Sequence, residues 1–328
     1  MRYLKWGTIG VLVVLSLLVP VLGMKPYYLH LITYSLIWVI MTQGLNIIQG
    51  YTGYVSIAQA AFFGIGAYGS TLLSVDLGLS VWLSMPLAVL LSGIAGVVIG
   101  YPALRTKGHY FAIVTMSFCM IVWVLMVAWD KLTRGESGIP NVPSPPSVFG
   151  IDFSKKENYY YLILAAVLLT LLFTYRFVHS RFGRALVTIR ENEPLAQAIG
   201  IPLLAYKMLA FTISAVLGGL SGALYAHYTH FINPTPFTVD YSLNAILAII
   251  LGGSGTIVGP IIGSFILIFL PEYLRVAEEY RLLIYGLMLI LITIYMPKGI
   301  VRILQVALEF VKAKAAGKSA SKASGKGA

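Results

Sequence analysis

The sequence predicts an all-α, polytopic membrane bundle of about ten transmembrane helices. Three observations carry that prediction. First, 58% of the 328 residues are hydrophobic and only 11% are charged, with a mean hydropathy of +0.85; a soluble domain carries about 25% charged residues. Second, the apolar runs are continuous rather than alternating, and near the roughly 20 residues that one helical crossing needs, which argues against a β-barrel. Third, the basic residues fall mainly between alternate pairs of runs, as they do when a chain is threaded through a bilayer.

In chain order, Arg2 and Lys5 precede an apolar run from Trp6 to Gly23. The run is longer than the roughly 7–15 residues of a signal-peptide core, and another span follows at once. It reads as a retained first helix, with cleavage near Gly23 as the alternative. Further spans are expected at 29–49, 58–75, 81–100, 109–129, 159–178, 206–228, 240–252, 256–271 and 281–297. The pair 240–252 and 256–271 is short in each half and divided by Gly252, Gly253, Ser254 and Gly255, so broken or re-entrant elements are expected there.

With the N-terminus inside, sixteen of the 23 Lys and Arg fall on the inner side. The outer seven are Lys25, Lys131, Arg134, Lys155, Lys156, Arg275 and Arg281. Nine of the 12 acidic residues fall outside. Both termini are thus expected in the cytoplasm, with 130–158 external and 179–205 internal. The net charge of +11 is an orientation signal and gives no reason to expect nucleic acid. The segment 1–300 is expected to be the transmembrane domain. The tail 301–328 is basic, and from about Lys312 it holds only Ala, Gly, Ser and Lys, a composition that cannot form a core. Gly317-Lys318-Ser319 resembles the end of a P-loop, but Lys312 stands where its first glycine belongs.

The stretch Gly44 to Leu73 is the most informative. An uncharged apolar run is interrupted by Gly50, Tyr51, Thr52, Gly53 and Tyr54. Irregular backbone at membrane depth survives only where protein covers it or a wet cavity lines it. Gln43, Asn46, Thr52, Gly53, Ser56 and Gln59 are therefore candidates for a solute path. Around the second glycine break the candidates are Asn244, Ser254 and Thr256. The competing reading of the first break is an ordinary cytoplasmic turn.

Other features read as structure. Ser214, Gly218, Gly222 and Ala226, with Ala215, Gly219 and Ala223 beside them, form a small-residue face for close helix approach, as do Gly96 and Gly100. Cys119 reads as a small buried residue. His227 and His230 lack the company of a metal site. No cofactor and no nucleophile–base set is expected, so the chain is not read as an enzyme. No Asp or Glu falls mid-span, which disfavours a proton-coupled carrier and places energy coupling on another chain.

The internal loop reads HSRFGRALVTIRENEPLAQAIGIP. Asn192 is placed to cap a short helix, Pro194 to fit its first turn and Gly200 to stop it. Leu195, Ala198 and Ile199 would share its apolar face. Such a helix either plugs a partner's groove or lies flat on the membrane.

Together these segments resemble the LivM/LivH-type permease subunits of ABC importers for branched-chain amino acids, most closely the LivM branch. The matching stretches are GLNIIQGYTGYVSIAQAAFFGIGAY at 44–68, IRENEPLAQAIGI at 189–201, LGGSGTIVGPIIGSFIL at 251–267 and RLLIYGLMLILITIYMPKGI at 281–300. The resemblance implies a cell-membrane protein that pairs with a LivH-like permease, two cytoplasmic ATP-binding subunits and an external substrate-binding protein. It implies that Arg190, Glu191, Asn192, Glu193 and Pro194, with the helix they open, dock on the ATPase. It also implies an internal repeat relating Gly50-Tyr51-Thr52-Gly53 to Gly252-Gly253-Ser254-Gly255. Alternatives are a permease for urea or short amides, and a self-sufficient secondary carrier.

The charge distribution generates a direct topology test. A cysteine placed at Ser144 should react with an impermeant thiol reagent added outside intact cells, and one at Ser321 should not. The reverse pattern would invert the expected orientation.

Overall fold

The computed structural model describes residues 20, 25–106, 108–148, 150–274, 286–287, 290 and 299–301. Apart from isolated positions, the expected first span (6–23), the last span (281–297) and the tail 301–328 lie outside the described residues. The other eight expected spans each coincide with a helix. These are α1 (Pro26–Thr52), α2 (Gln59–Val75), α3 (Val81–Ala103), α4 (His109–Ala128), α6 (Lys156–Val178), α9 (Leu203–Thr229), α10 (Val239–Gly252) and α11 (Val258–Tyr273). Between them lie the single turn α5 (Asp130–Thr133) and two short helices, α7 (Arg181–Glu191) and α8 (Glu193–Ala198).

Five helices, α1, α3, α4, α6 and α9, are long and apolar enough to cross a membrane among the described residues. α10 and α11 have 14 and 16 residues. At about 1.5 Å per residue neither reaches across a ~30 Å hydrocarbon layer alone.

α1 is the axis of the bundle. Of its most apolar window 83% is buried, against 28% for α4 and α6, whose outer faces are left for lipid. α9 packs along α1, α2 and α3. The small residues read from the sequence make that approach possible. A Cβ added at Gly222 would lie 1.8 Å from the Phe63 carbonyl oxygen, and one at Gly66 would lie 2.0 Å from that of Gly219. Ala215 closes on Gly96 in the same way. No larger side chain fits this contact, which is the reason for the four-residue spacing.

Two regions organise the ends of the bundle. At one end, β1 (Ile139–Pro140) pairs antiparallel with β2 (Phe231–Ile232), tying the long loop after α4 to the turn after α9. His227 donates through Nδ1 to the Pro143 carbonyl at 2.7 Å and accepts through Nε2 from Ser70 Oγ at 2.7 Å. His230 bonds the Val142 carbonyl at 2.9 Å. The two imidazoles are staples for this loop. No group of three metal-ligating side chains occurs among the described residues. Cys119 is buried and free.

At the other end lie both glycine breaks and the 179–205 loop. That loop is more ordered than its sequence promised. It was expected to hold one short helix, and it holds two. Ser180 caps α7 by accepting from the amides of Phe182 and Gly183. Gly183, Ala185, Leu186 and Ile189 bury one face of α7 against the bundle.

Candidate functional site

The site is built on the end of α1. Thr42, Gln43, Asn46 and Gly50 recur at near-helical spacing and lie along one face. That face meets the start of α11 and the break before it. Thr42 Oγ1 lies 2.8 Å from Ser264 Oγ. Gln43 donates to the Ile257 carbonyl at 2.6 Å. Asn46 makes two bonds: its Nδ2 donates to the Thr256 carbonyl at 2.8 Å, and its Oδ1 accepts from the Gly255 amide at 2.9 Å. Gly50 completes the face, because a Cβ there would lie 2.5 Å from the Gly255 nitrogen. The two breaks are therefore neighbours, joined by a polar seam in which Gln43 and Asn46 are buried and the backbone groups they bond are partly so.

α1 closes with Gly53, whose φ of +79° suits glycine and whose amide bonds the Gln49 carbonyl. Residues 53–58 then lead to α2. The second break is held by Thr256, which donates to the Gly253 carbonyl at 2.8 Å and accepts from the Gly259 amide at 2.9 Å.

The path candidates divide by burial. Gln43, Asn46 and Gln59 are fully buried, with Thr52 and Ser56 nearly so. Gln59 donates to the Met41 carbonyl at 2.9 Å and accepts from Ser214 Oγ at 2.9 Å, which ties α2 to α1 and α9. Thr52 bonds back to the Ile48 carbonyl, and Ser56 accepts from the Ala58 amide at 3.4 Å. Gly53 and Ser254 are exposed, and Asn244 and Thr256 are partly so. Gln43 Oε1 is buried without a hydrogen-bond partner among the described residues.

α8 has the local form expected. Asn192 caps it by accepting from the Leu195 amide at 3.0 Å, Pro194 sits in its first turn, and Gly200 follows with φ of +84°. Ala196 is buried, while Ala198, Leu195 at 54% and Ile199 at 64% are exposed. An apolar face on the end of a membrane bundle thus has no covering from the described residues.

Two charges depart from their expected roles. Arg190 was counted among the inner-side charges that set orientation. Its Nη1 donates to the Gly50 carbonyl at 2.8 Å, its stem passes where Gly53 has no side chain, and its guanidinium lies where Gly255 has none. It also pairs with Glu191 at 2.7 Å. Lys207 was counted among the charges that set orientation. It is 3% exposed, and its Nζ bonds Glu193 Oε1 and the Tyr54 hydroxyl, the latter at 2.6 Å. Tyr54 in turn donates to Glu193 Oε2 at 2.9 Å. Burial, then the Glu193 carboxylate, pushes the Tyr54 phenol well above its usual range, so it remains a donor. The sequence signal for Lys207 was a lone cation inside an apolar run. Nothing local announced its partners.

Residues 27–293 match the family model described as branched-chain amino acid transport system / permease component. The chain is 32% identical over 311 residues to the "High-affinity branched-chain amino acid transport system permease protein LivM" of Salmonella typhimurium, covering 88% of this chain and 73% of that one. The Escherichia coli protein of the same name matches with the same identity and coverage. The "Probable branched-chain amino acid transport permease protein LivH" of Methanocaldococcus jannaschii is 27% identical over 291 residues, covering 84% of this chain and 90% of that one. No solved structure matches.

The seam makes a stability prediction. Asn46→Leu keeps the branched outline of the side chain, with bulkier methyl ends, and strands the Gly255 amide and the Thr256 carbonyl, at up to about 1–3 kcal/mol for each group left unpaired. Thermal unfolding of the purified permease in detergent should shift down by several degrees. An unchanged midpoint would show that the seam does not hold the break.

Proposed function

The chain belongs to the branched-chain amino acid transport system permease component family, and from that premise we propose that it is a transmembrane subunit of an ABC importer for branched-chain amino acids. It pairs with a related LivH-like permease to form the translocation path. Two separate cytoplasmic ATP-binding subunits energise it, and an external binding protein delivers the substrate. It hydrolyses nothing itself. Both of its termini face the cytoplasm, and its membrane domain is built of about ten helical segments, of which α10 and α11 are too short for separate full crossings. The relatives' names favour this substrate class over urea or short amides.

The observation that carries the energy-coupling part is α8. Its apolar face is presented outward at the end of the bundle that holds both helix breaks. A solvent-exposed Leu–Ala–Ile face on a capped helix is suited to a protein groove. A helix lying flat on lipid would present such a face to the membrane instead. In this reading Leu195, Ala198 and Ile199 seat in the ATPase, Asn192 and Pro194 fix the helix start, and Gly200 fixes its end. For the path, Gly53, Asn244, Ser254 and Thr256 supply the accessible positions. Gln43, Asn46, Thr52, Ser56 and Gln59 hold the surrounding backbone.

Leu195→Asp tests the docking. Truncating a central anchor costs about 2 kcal/mol or more, roughly thirtyfold in binding. A buried unpaired charge costs more. The variant should accumulate normally in the membrane but fail to co-purify with its ATPase. Normal association and normal ATP-driven uptake would favour the helix lying on lipid.

A further inference from the structure

The residues around α8 face two ways. Leu195, Ala198 and Ile199 point away from the chain, whereas Glu193 at the helix start points into it. Glu193 reaches Lys207, one turn into α9, and Tyr54, in the connection after the first break. The Lys207 side chain is 4% exposed and that of Glu193 27%. The Lys207 ammonium also lies 4.2 Å from the centroid of the Tyr54 ring. Each of the three groups thus touches the other two, and each belongs to a different element. Three residues before Glu193, Arg190 bonds the Gly50 carbonyl and lies against Gly53 and Gly255.

We infer that Lys207 and Tyr54, with Glu193 and Arg190, are the transmission that carries a displacement of α8 to the two helix breaks. This rests on the reading that α8 docks on an ATPase, and it adds which inward-facing residues convert docking into movement of the path. A six-residue helix has little rigidity of its own. What makes it a lever is attachment at a point. Glu193 is that point, and its partners are the root of the packed helix α9 and the connection to α2. A buried ion pair is poor evidence for stability, because desolvation offsets much of the attraction, but its directional bonds fix a geometry. Arg190 extends the attachment, since a guanidinium bonded to the Gly50 carbonyl and in contact with Gly255 moves both breaks together. The glycines are what admit it. A Cβ at Gly255 would lie 2.8 Å from Arg190 Nη1. Lys207 and Tyr54 are positioning residues, acting through Glu193 rather than on the substrate.

The test uses the complete transporter in proteoliposomes, with leucine as the transported probe, and reads leucine moved per ATP hydrolysed. Lys207→Met should leave the ATPase bound and hydrolysing while the ratio falls at least about fivefold, the low end of typical allosteric coupling. Tyr54→Phe keeps the ring and deletes the hydroxyl, so a smaller loss in the same ratio is expected. Lys207→Arg, which preserves a donor for Glu193, should retain more of the ratio than Lys207→Met. If Lys207→Met does not accumulate, Tyr54→Phe carries the test. An unchanged ratio in the variants that assemble would overturn the transmission. So would loss of ATPase binding in them, since the network would then only shape the docking helix. Leu195→Asp in the same preparation separates the two claims. If it dissociates the ATPase while Lys207→Met keeps the ratio, only the transmission falls. If Leu195→Asp still couples normally, the docking reading falls and the transmission with it.

Discussion

The structure depends on one constraint: backbone that leaves a helix inside a membrane protein must find its hydrogen bonds within the protein. Two helices here end in glycine-rich breaks, and the helix that ends in the first supplies hydrogen bonds to the second. The side-chain amide of Asn46, near the end of α1, both donates to and accepts from the backbone of the second break. Gln43 and Thr42 continue the contact along α11. Gly50 is needed where the two backbones come within reach of each other. The breaks are therefore a joint, and the seam is what makes the joint a defined one.

The rest of the bundle is arranged around that joint. α9 can lie against α1, α2 and α3 only because its contact face is built of small residues, and that approach brings Lys207 beside Tyr54. The 179–205 segment then supplies three functions in a few turns. α7 anchors it by a buried face, Arg190 and Glu193 attach it to the joint, and α8 offers apolar side chains outward. At the opposite end, the two histidines and a two-residue strand pair hold the long loop to α9. The two ends thus differ in kind: one is stapled by short bonds, and the other carries an exposed apolar face on α8.

Much of this was legible in the sequence because it is periodic. Runs of apolar residues locate helices, and the four-residue spacing of Ser214, Gly218, Gly222 and Ala226 marks a packing face whatever packs on it. The cap at Asn192 and the stop at Gly200 are local rules, and they held. What the sequence hid is relational. Asn46 and Thr256 are 210 positions apart, so no window contains both members of the seam. Lys207 was counted by its side of the membrane, which says nothing of the direction its side chain takes. Arg190 was counted only as an inner-side charge, and its bond to Gly50, 140 positions away, lies outside any local window. α7 was missed although Ala185, Leu186 and Ile189 recur at helical spacing, because only the helix opened by Asn192 was sought in that loop.

Amide exchange of the permease in lipid nanodiscs tests the joint most directly. The peptide to follow is the one covering residues 252–258. If the seam holds the second break, its amides should exchange about a hundredfold or more slowly than an unstructured peptide, an opening free energy of ~3 kcal/mol or more. Protection approaching that of the interior of α1 is the expected result. Exchange at the rate of an open loop, with α1 still protected, would contradict the account.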